Sequence, residues 1–118
     1  MVVYMLGCYF AFGFLVPPSE EKAAHYFRLA ADAGDVDAQY DLGVLLLHAN
    51  AEEAARYFKL SAEQGNADAQ YNLGLCYYRG FGVSPSREEA IRYLELAVKQ
   101  RQPKAAQALE LVLIETSV

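Results

Sequence analysis

The sequence predicts an all-α protein, a right-handed α/α solenoid of about three helix pairs followed by a terminal helix. Three observations lead there. A Tyr-x-Leu-Gly motif recurs along the chain, apolar residues follow the i, i+3, i+4 period of a helix, and capping residues stand between the periodic stretches. Composition agrees: 54% of the 118 residues are hydrophobic, against eight Gly and four Pro. That is enough apolar surface for a packed core, and it excludes a disordered or collagen-like chain. We read one repeat domain over 1–118, with units at about 1–34, 35–65 and 66–101 and a terminal helix over 102–118.

The repeat is visible residue by residue. Tyr4-Met5-Leu6-Gly7, Tyr40-Asp41-Leu42-Gly43 and Tyr71-Asn72-Leu73-Gly74 align, and Leu109 marks a degenerate fourth copy with Glu110 in place of glycine. Downstream, Glu21 to Phe27 aligns with Glu52 to Phe58 and with Glu88 to Leu94. Leucine anchors at 6, 42 and 73 give periods of 36 and 31 residues, in the range of solenoid repeats.

Taken in order, the elements are these. Residues 2–18 carry no charge, but no Lys or Arg precedes the run, and it is short of the about 20 residues that span a membrane. It is read as a first helix over 3–13, because its motif recurs in helical blocks downstream. Ser19 caps a second helix over 19–33. Asp35 caps a third over 36–49, whose face joins Ala38, Gln39, Leu42, Leu45, Leu46 and Ala49. Asn50 and Ser86 each stand three residues before a glutamate, the capping-box pattern, and open helices over 51–64 and 87–100. In the first of these, Ala54, Phe58, Ser61 and Ala62 form the buried face, while Glu53, Arg56, Lys59 and Glu63 point away. Asn66 caps a helix over 67–79. Pro103 suits the first position of a last helix over 103–115. Gly34 and Gly65 stand where left-handed residues end helices. Gly7, Gly43 and Gly74 lie inside helices at a cost of about 1 kcal/mol each, which points to close approach of a neighbouring helix.

The Ala-Gln-Tyr-x-Leu-Gly motif, the Tyr77 to Val83 stretch and Glu89-Ala90-Ile91-Arg92-Tyr93 together resemble the Sel-1-like repeat, a relative of the tetratricopeptide repeat. The resemblance covers nearly the whole chain. The middle block departs from it by joining its helices through Ala49-Asn50 without a Gly-x-Gly-Val loop. It implies an α-solenoid that holds other proteins together. Some secreted relatives recognise β-lactam or cell-wall ligands, and some are stapled by a cysteine pair in each repeat, a pattern that Cys8 and Cys76 do not follow.

Chemistry-bearing motifs are sparse. There is no His-Glu-x-x-His, no Cys-x-x-Cys and no phosphate loop. His25 and His48 have no second histidine at ligand spacing, so neither a metal, a cofactor nor a catalytic role is assigned. Ten basic against fifteen acidic residues argue against nucleic acid and anionic membrane as partners. Cys8 and Cys76, nearly two repeats apart, are read as free thiols, which favours a reducing, cytoplasmic setting.

The informative feature is the helical face opposite the core. It carries Tyr40, Val44, Leu47, Tyr71, Leu75 and Tyr78, with His48 and Arg79 at its edge. A face that met only water would be polar. Packing between repeats explains such a stripe, and so does a partner-binding surface on the concave side of the solenoid. The expected function is protein or peptide binding as an adaptor or scaffold. The alternatives are a structural fragment that self-associates through an uncapped amino-terminal end, and a cell-wall-ligand binder or enzyme.

Overall fold

The computed structural model describes residues 2–12 and 19–115. Among these residues there are seven helices and no strand: α1 (Val2–Phe12), α2 (Glu20–Asp32), α3 (Val36–Leu46), α4 (Ala51–Glu63), α5 (Ala67–Arg79), α6 (Arg87–Lys99) and α7 (Ala105–Glu115). Each packs on the next in sequence, and α5 also touches α7. The stack is elongated, with extents of 51 × 26 × 23 Å.

Local chemistry sets the boundaries. The side chains of Ser19, Asp35, Asn50, Asn66 and Ser86 each accept a bond from the backbone N–H three residues on, at 2.8–3.2 Å. The backbone N–H groups of the caps Ser19, Asn50 and Ser86 donate instead to Phe10, Leu46 and Tyr77, tying each second helix to the end of the first. At the other end, Gly34 and Gly65 take φ +99° and +100°. Arg101 occupies the same position after α6 at φ 62°, the one non-glycine with positive φ among the described residues.

Two boundaries differ from expectation. Helix α3 stops at Leu46, not at 49, because Leu47 to Ala49 turn immediately into α4, with Ala49 and Asn50 both donating to the Leu46 carbonyl. Ala49 is consequently exposed rather than on the packed face. Helix α7 begins at Ala105, not at Pro103. The Gln102 side chain accepts from Lys104 N–H at 2.7 Å and its carbonyl from Ala105 N–H, so Pro103 lies in a tight turn before the helix. The expected end of the first helix at residue 13 lies outside the described residues.

The core is built twice in the same register. Ala23, Phe27, Ala31, Ala38, Leu42 and Tyr57 form one buried cluster, and Ala54, Phe58, Ala62, Ala69, Leu73 and Tyr93 form the next. Each cluster joins the second helix of one repeat to both helices of the following one, so a repeat buries its apolar face only against a neighbour. The motif glycines are where helices meet. A Cβ on Gly7 would lie 2.5 Å from the Phe27 ring, on Gly43 2.7 Å from the Phe58 ring, and on Gly74 2.8 Å from Leu94.

Glutamines and ion pairs bind one repeat to the next. Buried Gln39 donates to the Ala31 carbonyl and accepts from Gln64 at 2.7 Å; Gln70, Ala62 and Gln100 repeat the pattern, the last bond at 2.8 Å. Glu53, expected to point away from the fold, instead pairs with Arg28 of the preceding repeat, beside a Tyr57 hydroxyl that donates to Asp32 at 2.8 Å.

Candidate functional site

The odd-numbered helices share one face, and a register of tyrosines runs across it. Each of the three tyrosines precedes a motif leucine by two residues, and the facing position on the next odd helix precedes its leucine by one. At the first rung, the Tyr4 hydroxyl donates to Asp41 Oδ2 at 2.8 Å. At the second, the Asn72 side chain stands beside the Tyr40 hydroxyl. At the third, the facing residue is Ala108, and Tyr71 makes no hydrogen bond among the described residues.

The electrostatics of this face change along it. Burial pushes the Tyr4 and Tyr40 hydroxyls and the Asp41 carboxyl above their usual ranges; Asp41 feels Asp35 and Asp37 as well, and Tyr40 feels Asp68. The far end is basic, with Arg79 and Lys104, and neither forms an ion pair among the described residues.

Two hollows open beside α5. One of about 130 Å³ lies between α3 and α5, and Leu47, His48, Leu75, Arg79 and Phe81 are among its walls. The other, of about 290 Å³, lies between α5 and α7; Tyr71, Leu75, Tyr78 and Arg79 line one side and Lys104, Gln107, Ala108 and Leu111 the other. Leu75 and Arg79 belong to both, so the hollows adjoin.

The eight residues singled out from the sequence divide accordingly. Leu47, His48, Tyr71, Leu75, Tyr78 and Arg79 line the hollows. Tyr40 is half-buried against the core, its ring 6.0 Å from that of Phe58. Val44 is exposed outside both hollows. Sequence reasoning missed Lys104, Gln107 and Leu111 as walls, because α7 has lost the motif that marks its predecessors. The alignment of Ala108 with Asn72 and Asp41 was the available signal.

Catalytic chemistry finds little support here. Cys76 at the edge of the smaller hollow is buried, and burial pushes its thiol up to about 11, which leaves it a poor nucleophile at neutral pH. Both cysteines are free. Among the described residues no group of three or more His, Cys, Asp or Glu is placed to hold a metal ion, and no helix is long and apolar enough to cross a membrane.

Comparison with known proteins identifies the repeat. The family model described as Sel1 repeat matches three consecutive segments, 3–35, 36–66 and 67–101. Among solved structures, the chain is similar to c5321, a protective antigen present in uropathogenic Escherichia coli strains displaying an SLR fold. The identity is 28% and the TM-score 0.84, over 90% of this chain and 24% of that one. It is also similar in fold to a Sel1 repeat protein from Oxalobacter formigenes, with 24% identity and a TM-score of 0.87, over 92% of this chain and 47% of that one. The chain thus spans less than half the length of either protein. A search of curated proteins found no match. With all three helix pairs matched in sequence and the fold shared with solved relatives, the chain belongs to the Sel1 repeat family.

Proposed function

We propose that this chain is a non-catalytic binding scaffold whose face of odd-numbered helices, the concave side of the solenoid, holds a peptide segment of another protein. Sel1 repeat proteins are generally protein–protein interaction scaffolds, typically without enzymatic activity. The observation that carries the reading is the pair of adjoining hollows, into which six of the eight stripe residues converge. Tyr71 and Tyr78 offer rigid, amphipathic contact area, Leu47 and Leu75 an apolar floor, and Arg79 and His48 polar anchors at the rim. An extended or helical segment with apolar anchors suits such a groove.

A pair of substitutions tests it. Leu73 is fully buried, so Leu73→Ala is expected to cost about 2–5 kcal/mol of stability. Tyr78→Ala is expected to leave melting nearly unchanged while weakening binding of a captured partner by about 1–3 kcal/mol. If Tyr78→Ala unfolds the protein and binding per folded molecule is unchanged, the stripe is packing and the reading fails.

Self-association is the second reading, supported by Val2, Met5 and Phe12, which stand exposed on α1. Concentration-dependent mass in light scattering, abolished by Met5→Glu, would support it; a constant monomer mass would refute it.

A further inference from the structure

The larger hollow has a chemical signature of its own. We infer that the cleft between α5 and α7 is a subsite for acidic side chains of a bound peptide, its carboxylates met by Arg79 and Lys104 and a neighbouring apolar side chain seated on Tyr78, Leu75 and Leu111. This rests on the binding-scaffold reading and names the chemistry of the partner.

The tyrosine register supplies the first argument. Asp41 accepts from Tyr4 at the first rung and Asn72 stands beside the Tyr40 hydroxyl at the second, so each of those tyrosines faces a polar side chain of the protein. Ala108 stands at the same place on the third and offers no polar atom. The Tyr71 hydroxyl is left to donate to an acceptor from outside, and a carboxylate there would occupy the place that the Asp41 carboxylate takes one seam earlier.

Charge supplies the second. In a chain of formal charge −5, this cleft is lined, among the described residues, by two cations and no carboxylate. Neither Arg79 nor Lys104 is neutralised by an ion pair among the described residues. Gln107 adds a neutral donor on the same wall. Arginine can grip a carboxylate through two parallel N–H bonds, and lysine adds a point charge. The apolar floor makes a bare anion a poor fit and a carboxylate attached to an apolar neighbour a good one.

The limits of the positive patch select the ligand class. Asp68, one turn before Tyr71 and accepting from Gln102 at 3.3 Å, borders the cleft, and Asp41 lies further along the same face, so an extended polyanion such as RNA would be repelled there. One or two carboxylates on an otherwise neutral, apolar peptide satisfy the cations with less repulsion from those acids than a polyanion meets.

The chain contains no Trp, so a Trp-bearing peptide reports its own binding by fluorescence. The probes are an end-blocked peptide, acetyl-Gly-Leu-Glu-Trp-Glu-Leu-Gly-amide, and its twin with both glutamates replaced by glutamine. The acidic peptide is expected to bind about tenfold more tightly than its twin, and the preference to weaken with added salt. Arg79→Met and Lys104→Met should each remove most of that preference while leaving the neutral twin unaffected. Ala108→Asp, which restores the rung to Tyr71, should abolish it with no loss of melting temperature. Equal binding of the two peptides, with Leu75→Ala weakening both, would overturn the acidic subsite and leave the scaffold reading standing. Acidic preference that survives Arg79→Met, Lys104→Met and Ala108→Asp would place the anion elsewhere and also overturn it. Failure of both peptides, and of a panel of neutral apolar peptides, to bind would overturn the subsite and the scaffold reading together.

Discussion

Repeats two and three share their first-helix motif almost letter for letter, yet they solve three local problems differently. Repeat two joins α3 to α4 through the short turn over 47–50, whereas repeat three joins α5 to α6 through a loop over 80–86 that folds back onto the start of α4. Repeat two gives the hydroxyl of its second-helix tyrosine a hydrogen-bond partner, and repeat three leaves it without one among the described residues. Repeat two ends on glycine, and repeat three on arginine. The shared residues are those that touch the core; the variable ones show how much departure the solenoid tolerates where a neighbour supplies the contact.

The largest effect is expected at the loop. Gly82 has φ +78°, and a Cβ there would lie 2.1 Å from the Ala51 carbonyl oxygen. Backbone cannot yield as a side-chain tip can, so Gly82→Ala should cost about 3 kcal/mol or more in denaturant unfolding. Gly43→Ala should cost less, about 2 kcal/mol, because the Phe58 ring must shift while the helix gains a better helix former. If Gly82→Ala is as mild as Gly43→Ala, the loop is not seated on α4 and the two junctions are closer in kind than they look.

The second-helix tyrosines make the next comparison. The Tyr57 hydroxyl donates to Asp32 at 2.8 Å and lies 3.4 Å from an Arg28 nitrogen. The Tyr93 hydroxyl is buried without a hydrogen-bond partner among the described residues; Arg92 lies over the face of its ring, 4.2 Å from the centroid. Tyr57→Phe is expected to destabilise by about 1–2 kcal/mol, and Tyr93→Phe to be neutral or stabilising. Thermal melts of the two variants side by side decide it, and equal losses would show that Tyr93 has a partner after all.

That contrast marks where sequence reading reached its limit. Leu42, Leu73 and Phe58 were legible as core, because helical period and repeat register agree on them. The glycines were legible as close approaches, because a helix keeps Gly only at a cost. The Arg28–Glu53 pair and the Gln39–Gln64 bond were not, since each joins residues 25 apart on different helices and helical period says nothing about a neighbour's side chains. Gln64 and Gln100 do occupy the same position one residue before Gly65 and Arg101, and that recurrence was the overlooked signal. On the candidate face, helical period leaves Tyr40 open to packing or to a partner, because the angle of a helical position does not reveal that the Phe58 ring lies 6.0 Å from it. The α7 wall escaped notice for the opposite reason, a helix whose motif had decayed.

The repeat ends differ by a smaller amount. A Cβ on Gly65 would meet nothing within 4 Å, so Gly65→Ala isolates the backbone cost of its φ of +100°. That cost is expected to be about 1 kcal/mol. Arg101 already carries it at φ 62°, and Arg101→Gly should therefore raise stability by about the same amount or slightly less, since glycine also loosens the unfolded chain. Denaturant midpoints for both variants test the pair, and a loss of stability in Arg101→Gly would mean that the arginine side chain makes a contact worth more than its strain.

The smallest difference separates Asp41 of repeat two from Asn72 of repeat three, which occupy one register and each face a tyrosine of the preceding repeat. Burial, with Asp37 and Asp35 adding repulsion, raises the Asp41 carboxyl above its usual range, against the lowering effect of the Tyr4 bond. A carboxyl whose folded pKa is raised binds its proton more tightly in the folded state. Its ionisation therefore costs stability above the folded pKa, and the cost is relieved as pH falls through that value. Asp41→Asn keeps an oxygen to accept from Tyr4 and carries no charge, so it should melt higher than the parent at pH 7. The gap should narrow as pH falls through the carboxylate range and close once the parent's carboxyl is protonated. Asn72→Asp should do the reverse, lowering melting at pH 7 and recovering in acid. A gap for Asp41→Asn that stays constant from pH 7 to pH 4 would assign the difference to hydrogen-bond geometry, leaving charge no part in distinguishing the two rungs.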